Sequence, residues 1–116
     1  MKPVSIHVVD IANGRVARGM QVQLVRLQGE VAVTVLEGTV GGNGLVEDHE
    51  RTDNFETGAY ELRLHVADYY RGLDASLPQP PFVDVQVFRF GLADLSQHYH
   101  LPVKLTPWGL SLFRGA

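Results

Sequence analysis

Apolar and polar residues alternate with a period near two in several short stretches of the chain, the signature of half-buried β-strands. In Ser5-Ile6-His7-Val8-Val9, Ile6 and Val8 share one face while Ser5, His7 and Val9 share the other. After the turn signal Asn13-Gly14, residues 20–26 place Met20, Val22 and Leu24 together, and Gly29-Glu30 punctuates a further strand over 31–36. Residues 37–54 are rich in glycine and charge and read as a loop, with Gly41-Gly42-Asn43-Gly44 its clearest turn and a brief strand at Leu45-Val46. Tyr60, Leu62, Leu64 and Val66 then alternate with Glu61, Arg63 and His65.

The pattern breaks at 67–73. There Asp68 reads as the cap of a short helix whose inner face carries Tyr69 and Leu73, and Gly72, Pro78, Pro80 and Pro81 keep it short. Val83, Val85 and Val87 alternate with Asp84 and Gln86 as another half-buried strand, and 91–96 reads as a loop. Tyr99, Leu101, Val103 and Leu105 alternate with His98, His100, Pro102 and Lys104. Thr106-Pro107-Trp108-Gly109 reads as a turn and 110–114 as a last strand. Seven or eight short strands with one helical interruption predict an all-β sandwich, a single domain over residues 1–116.

Composition narrows the chemistry. Hydrophobic residues make up 45% of the 116 positions, which suits a packed core and argues against disorder. The absence of cysteine excludes disulfides, cysteine-ligated zinc, iron–sulfur clusters and thiol catalysis. Ten Lys plus Arg stand against thirteen Asp plus Glu, a net charge of −3 without a basic cluster, so neither nucleic acid nor membrane is an expected partner. Arg26, Arg51, Arg63 and Arg89 read as solvated strand or loop positions. No apolar run is long enough to span a bilayer. No signal peptide is visible, so a cytoplasmic location is expected, or a periplasmic one if a signal peptide has been removed.

The faces opposite the core are unusual. His7 and His100 both lie there, beside Val9 and Pro102, a mixture that suits an interface or a pocket. Two imidazoles on neighbouring strands can activate water and protonate a leaving group, because the reference pKa of histidine is about 6.5. The plainer reading is two unrelated surface or interface histidines. His98-x-His100 puts two nitrogen ligands on one face, but no third completes a recognised spacing, and no metal is expected. His98 reads as a strand-end or interface residue, His49 and His65 as loop and exposed-strand residues, and Asp10 as a local cap or turn bond. No paired carboxylates, nucleophile elbow or phosphate loop stand out.

At the carboxyl end, His98-Tyr99-His100-Leu101-Pro102 and the run Leu105-Thr106-Pro107-Trp108-Gly109-Leu110-Ser111-Leu112-Phe113-Arg114-Gly115-Ala116 carry a specific pattern. It resembles the 5-hydroxyisourate hydrolases, the enzymatic branch of the transthyretin-like family, with their His-Tyr-His-Val-Pro, Ser-Pro-x-Gly-Tyr-Ser-Thr and terminal Tyr-Arg-Gly-Ser. Ser5 to Asp10, Asn13 to Ala17, Thr57 to Tyr60 and the helix near Asp68 fit the same family. The resemblance implies a transthyretin-like β-sandwich of two four-stranded sheets with one short helix. It also implies a homotetramer with small-molecule sites in a channel between dimers.

The implied reaction is the opening of 5-hydroxyisourate by water, without a cofactor. The family's two catalytic histidines map to His7 and His100, one activating water and the other assisting proton transfer to the breaking amide nitrogen. Arg114 matches the terminal motif and is implied to hold the anionic ligand or the chain end. Leu45, in Gly42-Asn43-Gly44-Leu45, stands where the family has an arginine, and Arg51 lies six residues on as a compensating cation. Phe113 replaces the family's tyrosine, Ala116 its serine and Leu112 a threonine. With Arg114, Leu45 and Phe113 as the substrate-binding residues, the pocket is more apolar than the enzyme pattern. Two alternatives therefore stay open: a noncatalytic small-ligand-binding protein of the same fold, and a hydrolase of a related cyclic amide.

Overall fold

Each apolar strand face needs a partner to cover it, and the computed structural model, which describes residues 3–51 and 55–115 (the side chains of 49–51 excepted), meets that need with two facing sheets. The elements run β1 (Val4–Asp10), β2 (Arg15–Val16), β3 (Gln21–Gln28), β4 (Val31–Val40) and β5 (Val46–Arg51). They continue with β6 (Gly58–His65), α1 (Val66–Gly72), β7 (Val85–Leu92), β8 (Tyr99–Thr106) and β9 (Gly109–Leu112). One sheet has the order β2-β1-β8-β9 and the other β5-β4-β3-β6-β7. All pairings are antiparallel except β1 with β8, which run parallel from Val4↔Tyr99 to Asp10↔Leu105.

The sandwich is the one expected, but its sheets hold four and five strands, not four and four. The difference lies in the stretch read as a loop with only a brief strand at Leu45-Val46. There β4 continues to Val40 and the charged β5 lies at the sheet edge, paired only to β4. An edge strand with few apolar residues gives no alternation to read, since its order comes from backbone pairing. The two-residue β2 likewise lies where only a turn was predicted.

Ile6, Val8, Met20, Val22, Leu24, Tyr60, Leu62, Leu64, Leu101, Val103 and Leu105 are buried, as their alternation requires. On β7 the expected face is reversed. Val85 and Val87 are 42% and 44% exposed, while Phe88 and Phe90 pack on the core and Leu92 is buried. Two overlapping alternations one residue apart occur there, and the register Leu62↔Phe88 and Tyr60↔Phe90 selects the aromatic one.

Arg26 is also not solvated. It is 5% exposed, paired in register with Tyr60, and its Nε lies 3.8 Å from Glu56 Oε2. Arg63 and Arg89 clamp the buried Glu61 at 2.7 and 3.0 Å. The side chain of Arg51, like that of His49, lies outside the described residues.

Helix α1 starts at Val66, one turn earlier than a cap at Asp68 would place it, and no side chain caps it. Asp68 sits in its first turn, 3.6 Å from Arg71. Leu73 follows the helix and is 38% exposed; Val66, Ala67, Tyr69 and Tyr70 form the buried face instead. Both tyrosine hydroxyls reach Asp10, which is completely buried at the end of β1. Tyr69 donates to Oδ2 at 2.8 Å and Tyr70 to Oδ1 at 2.7 Å. Asn13 donates through its side-chain nitrogen at 2.7 Å and its backbone N–H at 3.2 Å. The turn role read for Asp10 is therefore present, and the carboxylate also anchors the helix.

Burial alone would raise the Asp10 carboxyl, but the hydrogen bonds from Asn13, Tyr70 and Tyr69 outweigh it and hold the group below the ordinary carboxylate value. Burial, then the Asp10 hydrogen bond and charge, push the Tyr69 hydroxyl up to about 12. Asp10→Ala, which strips two buried hydroxyls of this acceptor, is expected to cost about 2–4 kcal/mol in denaturant unfolding at pH 7. A carboxylate held below its unfolded value stabilises the fold above that value and loses the contribution as pH falls through the folded one. The stability gap between wild type and Asp10→Asn should therefore shrink below about pH 4. A gap independent of pH would contradict the latch.

Candidate active site on the β1–β8 face

The parallel register of β1 and β8 assembles the site. Ser5 pairs with His100, His7 with Pro102 and Val9 with Lys104. Ile6, Val8, Leu101 and Val103 turn into the core, so these six residues share the opposite face. Val16 of β2 extends it beside Val9, and Ser111 of β9 beside Lys104. His7 and His100, the two histidines singled out in the sequence, are thus brought together, both half-buried.

His7 is held by the glycine loop. Leu45 forms an antiparallel bridge with His7, and Val8 N–H donates to Gly44 O at 2.9 Å. His7 Nε2 lies 3.0 Å from Asn43 O. A carbonyl only accepts, so Nε2 carries the proton and neutral His7 keeps Nδ1 as its lone pair. Gly44 has φ +87°, and a Cβ there would run into His7 Nε2 and Val16. Glycine is needed both for the turn and for the close approach. The Leu45 backbone N–H donates to Asn43 Oδ1 at 3.0 Å, tightening the turn. Leu45 also lines a small cavity of ≈ 110 Å³ together with Val4, Ser5, Ile6, Leu36, Val46 and Asp48.

His100 is held from two sides. Its Nδ1 lies 2.7 Å from Ser5 Oγ, which also lies 2.8 Å from His98 Nε2. The chain end closes over it: Gly115 N–H donates to His100 O at 2.6 Å, and a Cβ at Gly115 would lie 3.1 Å from His100 Cδ2. Ser5 is the residue that sequence reading passed over. Its sharing a β1 face with His7 was visible, but its place opposite His100 depends on the pairing of strands from the two chain ends.

Arg114 is engaged elsewhere. Its guanidinium lies 4.0 Å above the Tyr99 ring and donates to Gln97 Oε1 at 2.8 Å and to His98 O at 3.4 Å. Phe113 is 53% exposed next to it. Among the described residues no group of three or more His, Asp or Glu is arranged to hold a metal ion.

Comparison with known proteins places this geometry in context. The sequence profile described as the HIUase/Transthyretin family matches residues 4–115. The chain is 40% identical over 120 residues to the 5-hydroxyisourate hydrolase of Deinococcus radiodurans, covering 97% of this chain and 95% of that protein. It superposes on a crystal structure of (S)-allantoin synthase with a TM-score of 0.87 at 31% identity, over 97% of this chain but only 43% of that longer one. Sea bream transthyretin in complex with thyroxine superposes with a TM-score of 0.85 at 16% identity, over 99% of this chain and 96% of the other, a likeness of fold. Sequence profile, identity over nearly the full length and fold agree, and the chain belongs to the HIUase/Transthyretin family.

Proposed function

We propose that this protein hydrolyses 5-hydroxyisourate, with His7 and His100 as its catalytic residues and no cofactor. The observation that carries this reading is the pair of half-buried imidazoles on one strand face, each with one ring nitrogen already committed to a protein partner. One imidazole draws a proton from water as the oxygen adds to the ring carbonyl. The other assists proton transfer to the ring nitrogen as the C–N bond breaks. The relatedness to the Deinococcus radiodurans enzyme supports the choice of substrate.

An anionic, oxygen-rich ring calls for a cation, and leucine at position 45 cannot supply one. Lys104 answers this need. It is exposed, lies on the histidine face, and follows Pro102, the partner of His7, by one same-face step. In this reading Lys104 holds the substrate's negative charge, Leu45 and Phe113 pack on its ring, and Arg114 secures the chain end. The apolar character of Leu45 and Phe113 favours a second reading, a noncatalytic carrier of small ligands.

Freshly generated 5-hydroxyisourate, followed by its ultraviolet absorbance, separates the readings. The wild type should outpace spontaneous decay, and His7→Ala and His100→Ala should each lose about 10²-fold or more in kcat. Lys104→Met should lower kcat/KM about 10-fold while Lys104→Arg retains it. Decay at the background rate with folded protein present would leave the carrier reading in its place, and turnover of another cyclic amide alone would redirect the substrate.

A histidine face that also carries Val9 and Pro102, with the exposed Leu45 bridged to His7, is suited to closure by further copies of the chain, and we take the assembly to be a homotetramer. Light scattering should then give a mass about four times the 12.8 kDa of one chain. A monomer that retains full activity would overturn this assembly as the functional form.

A further inference from the structure

Ser5 Oγ stands between two imidazoles, 2.7 Å from His100 Nδ1 and 2.8 Å from His98 Nε2. A serine hydroxyl has one proton, so it donates to one ring and accepts from the other. Two arrangements satisfy both contacts. In the first, His100 Nδ1–H donates to Ser5, Ser5 donates to His98 Nε2, and His100 Nε2 is left as a lone pair, a base. In the second, His98 Nε2–H donates to Ser5, Ser5 donates to His100 Nδ1, and His100 Nε2 bears a proton, an acid. The two rings are therefore coupled through one hydroxyl.

We propose that Ser5 and His98 form a proton relay that moves the charge acquired by His100 during hydrolysis onto the exposed His98. This rests on the reading of His100 as a catalytic residue. As water adds to the ring carbonyl, its proton goes to His100 Nε2. The Nδ1 proton passes to Ser5 Oγ while the Ser5 proton passes to His98 Nε2. His100 is then neutral with Nε2 protonated, and the positive charge sits on His98. When the C–N bond breaks, the Nε2 proton leaves toward the departing nitrogen with His7 assisting, and the two relay protons return. Net, one water proton reaches the nitrogen and the three side chains recover their starting forms.

The advantage is one of solvation. Within one chain, His100 is half-buried beneath the Gly115 segment, whereas His98 is exposed. A cation held on the solvated ring avoids the desolvation penalty that it would meet on the covered one. The other charged or titratable groups on this face are His7 and Lys104, with the Arg114 guanidinium beside the His98 carbonyl. None of these three bonds to the Ser5 hydroxyl among the described residues. Ser5 and His98 are thus positioning residues that act through His100.

Two measurements test the relay. Long-range ¹H–¹⁵N spectra of the protein without substrate read the protonation of each ring nitrogen. His100 Nδ1 and His98 Nε2 should be complementary, one protonated and one not, in the wild type and in Ser5→Thr, and lose this coupling in Ser5→Ala. In turnover, Ser5→Ala and His98→Ala should each lower kcat about 10–100-fold with KM little changed. Added imidazole should restore kcat in His98→Ala and leave the wild type unaffected. Unchanged His100 tautomers in Ser5→Ala, or wild-type kcat in His98→Ala, would overturn the relay. An inactive wild type would instead remove the hydrolase reading, and the spectra alone would then decide whether the rings are coupled.

Discussion

Parallel strands cannot be joined by a tight turn, so β1 and β8 come together only after almost the whole chain has been threaded between them. The face that carries both histidines exists because of that pairing. A slip of one residue in either strand would turn that strand's histidine into the core and its apolar side chains outward, separating His7 from His100. The register is held along its length by the buried sides of both strands and at its far end by Asp10. That carboxylate joins the end of β1 to the turn after it and to both tyrosines of α1, while Tyr70 also reaches the Leu105 carbonyl of β8 at 3.2 Å. A buried carboxylate is costly unless every lone pair is used, and here it accepts from both Asn13 groups and both hydroxyls. The helix, an interruption in an otherwise all-β chain, is the piece that completes this latch.

With the pairing in place, the histidines are oriented by backbone and side-chain groups that differ in kind. A carbonyl defines the His7 tautomer and leaves no choice, whereas a hydroxyl defines that of His100 only relative to His98. One ring is locked and the other is switchable. The glycine loop over His7 and the Gly115 end over His100 serve the same purpose from opposite sides, bringing backbone close to an imidazole where any side chain would crowd it. Leu45 meets His7 and Asn43 through its backbone, so these supports do not depend on its side chain.

Much of this was legible in the residues themselves. Alternation located β1, β3, β6 and β8 and gave the correct buried face for each, since a strand with one covered side must repeat every second residue. The His-Tyr-His and Arg-Gly segments pointed to the family, and the same alternation put His7 and His100 on the outer faces. It failed where burial did not govern the strand. The edge strand β5 has no apolar period, and β7 has two, which only its pairing with β6 resolves. Arg26 sits on a strand whose Leu24, Val25 and Arg26 are all buried around a register shift, a feature that a strict period of two cannot express.

Local sequence thus determined which segments extend, which faces turn inward and which residue types are available for chemistry, because these follow from side-chain polarity and backbone preference over a few neighbouring positions. Only the tertiary structure decided which of those residues meet. Ser5 bridging two histidines from the other end of the chain, Asp10 receiving two hydroxyls from the helix, and Arg114 stacked on Tyr99 are all contacts between segments far apart in sequence. Their distances are set by strand register and sheet packing, which belong to the whole fold and to no single stretch of it.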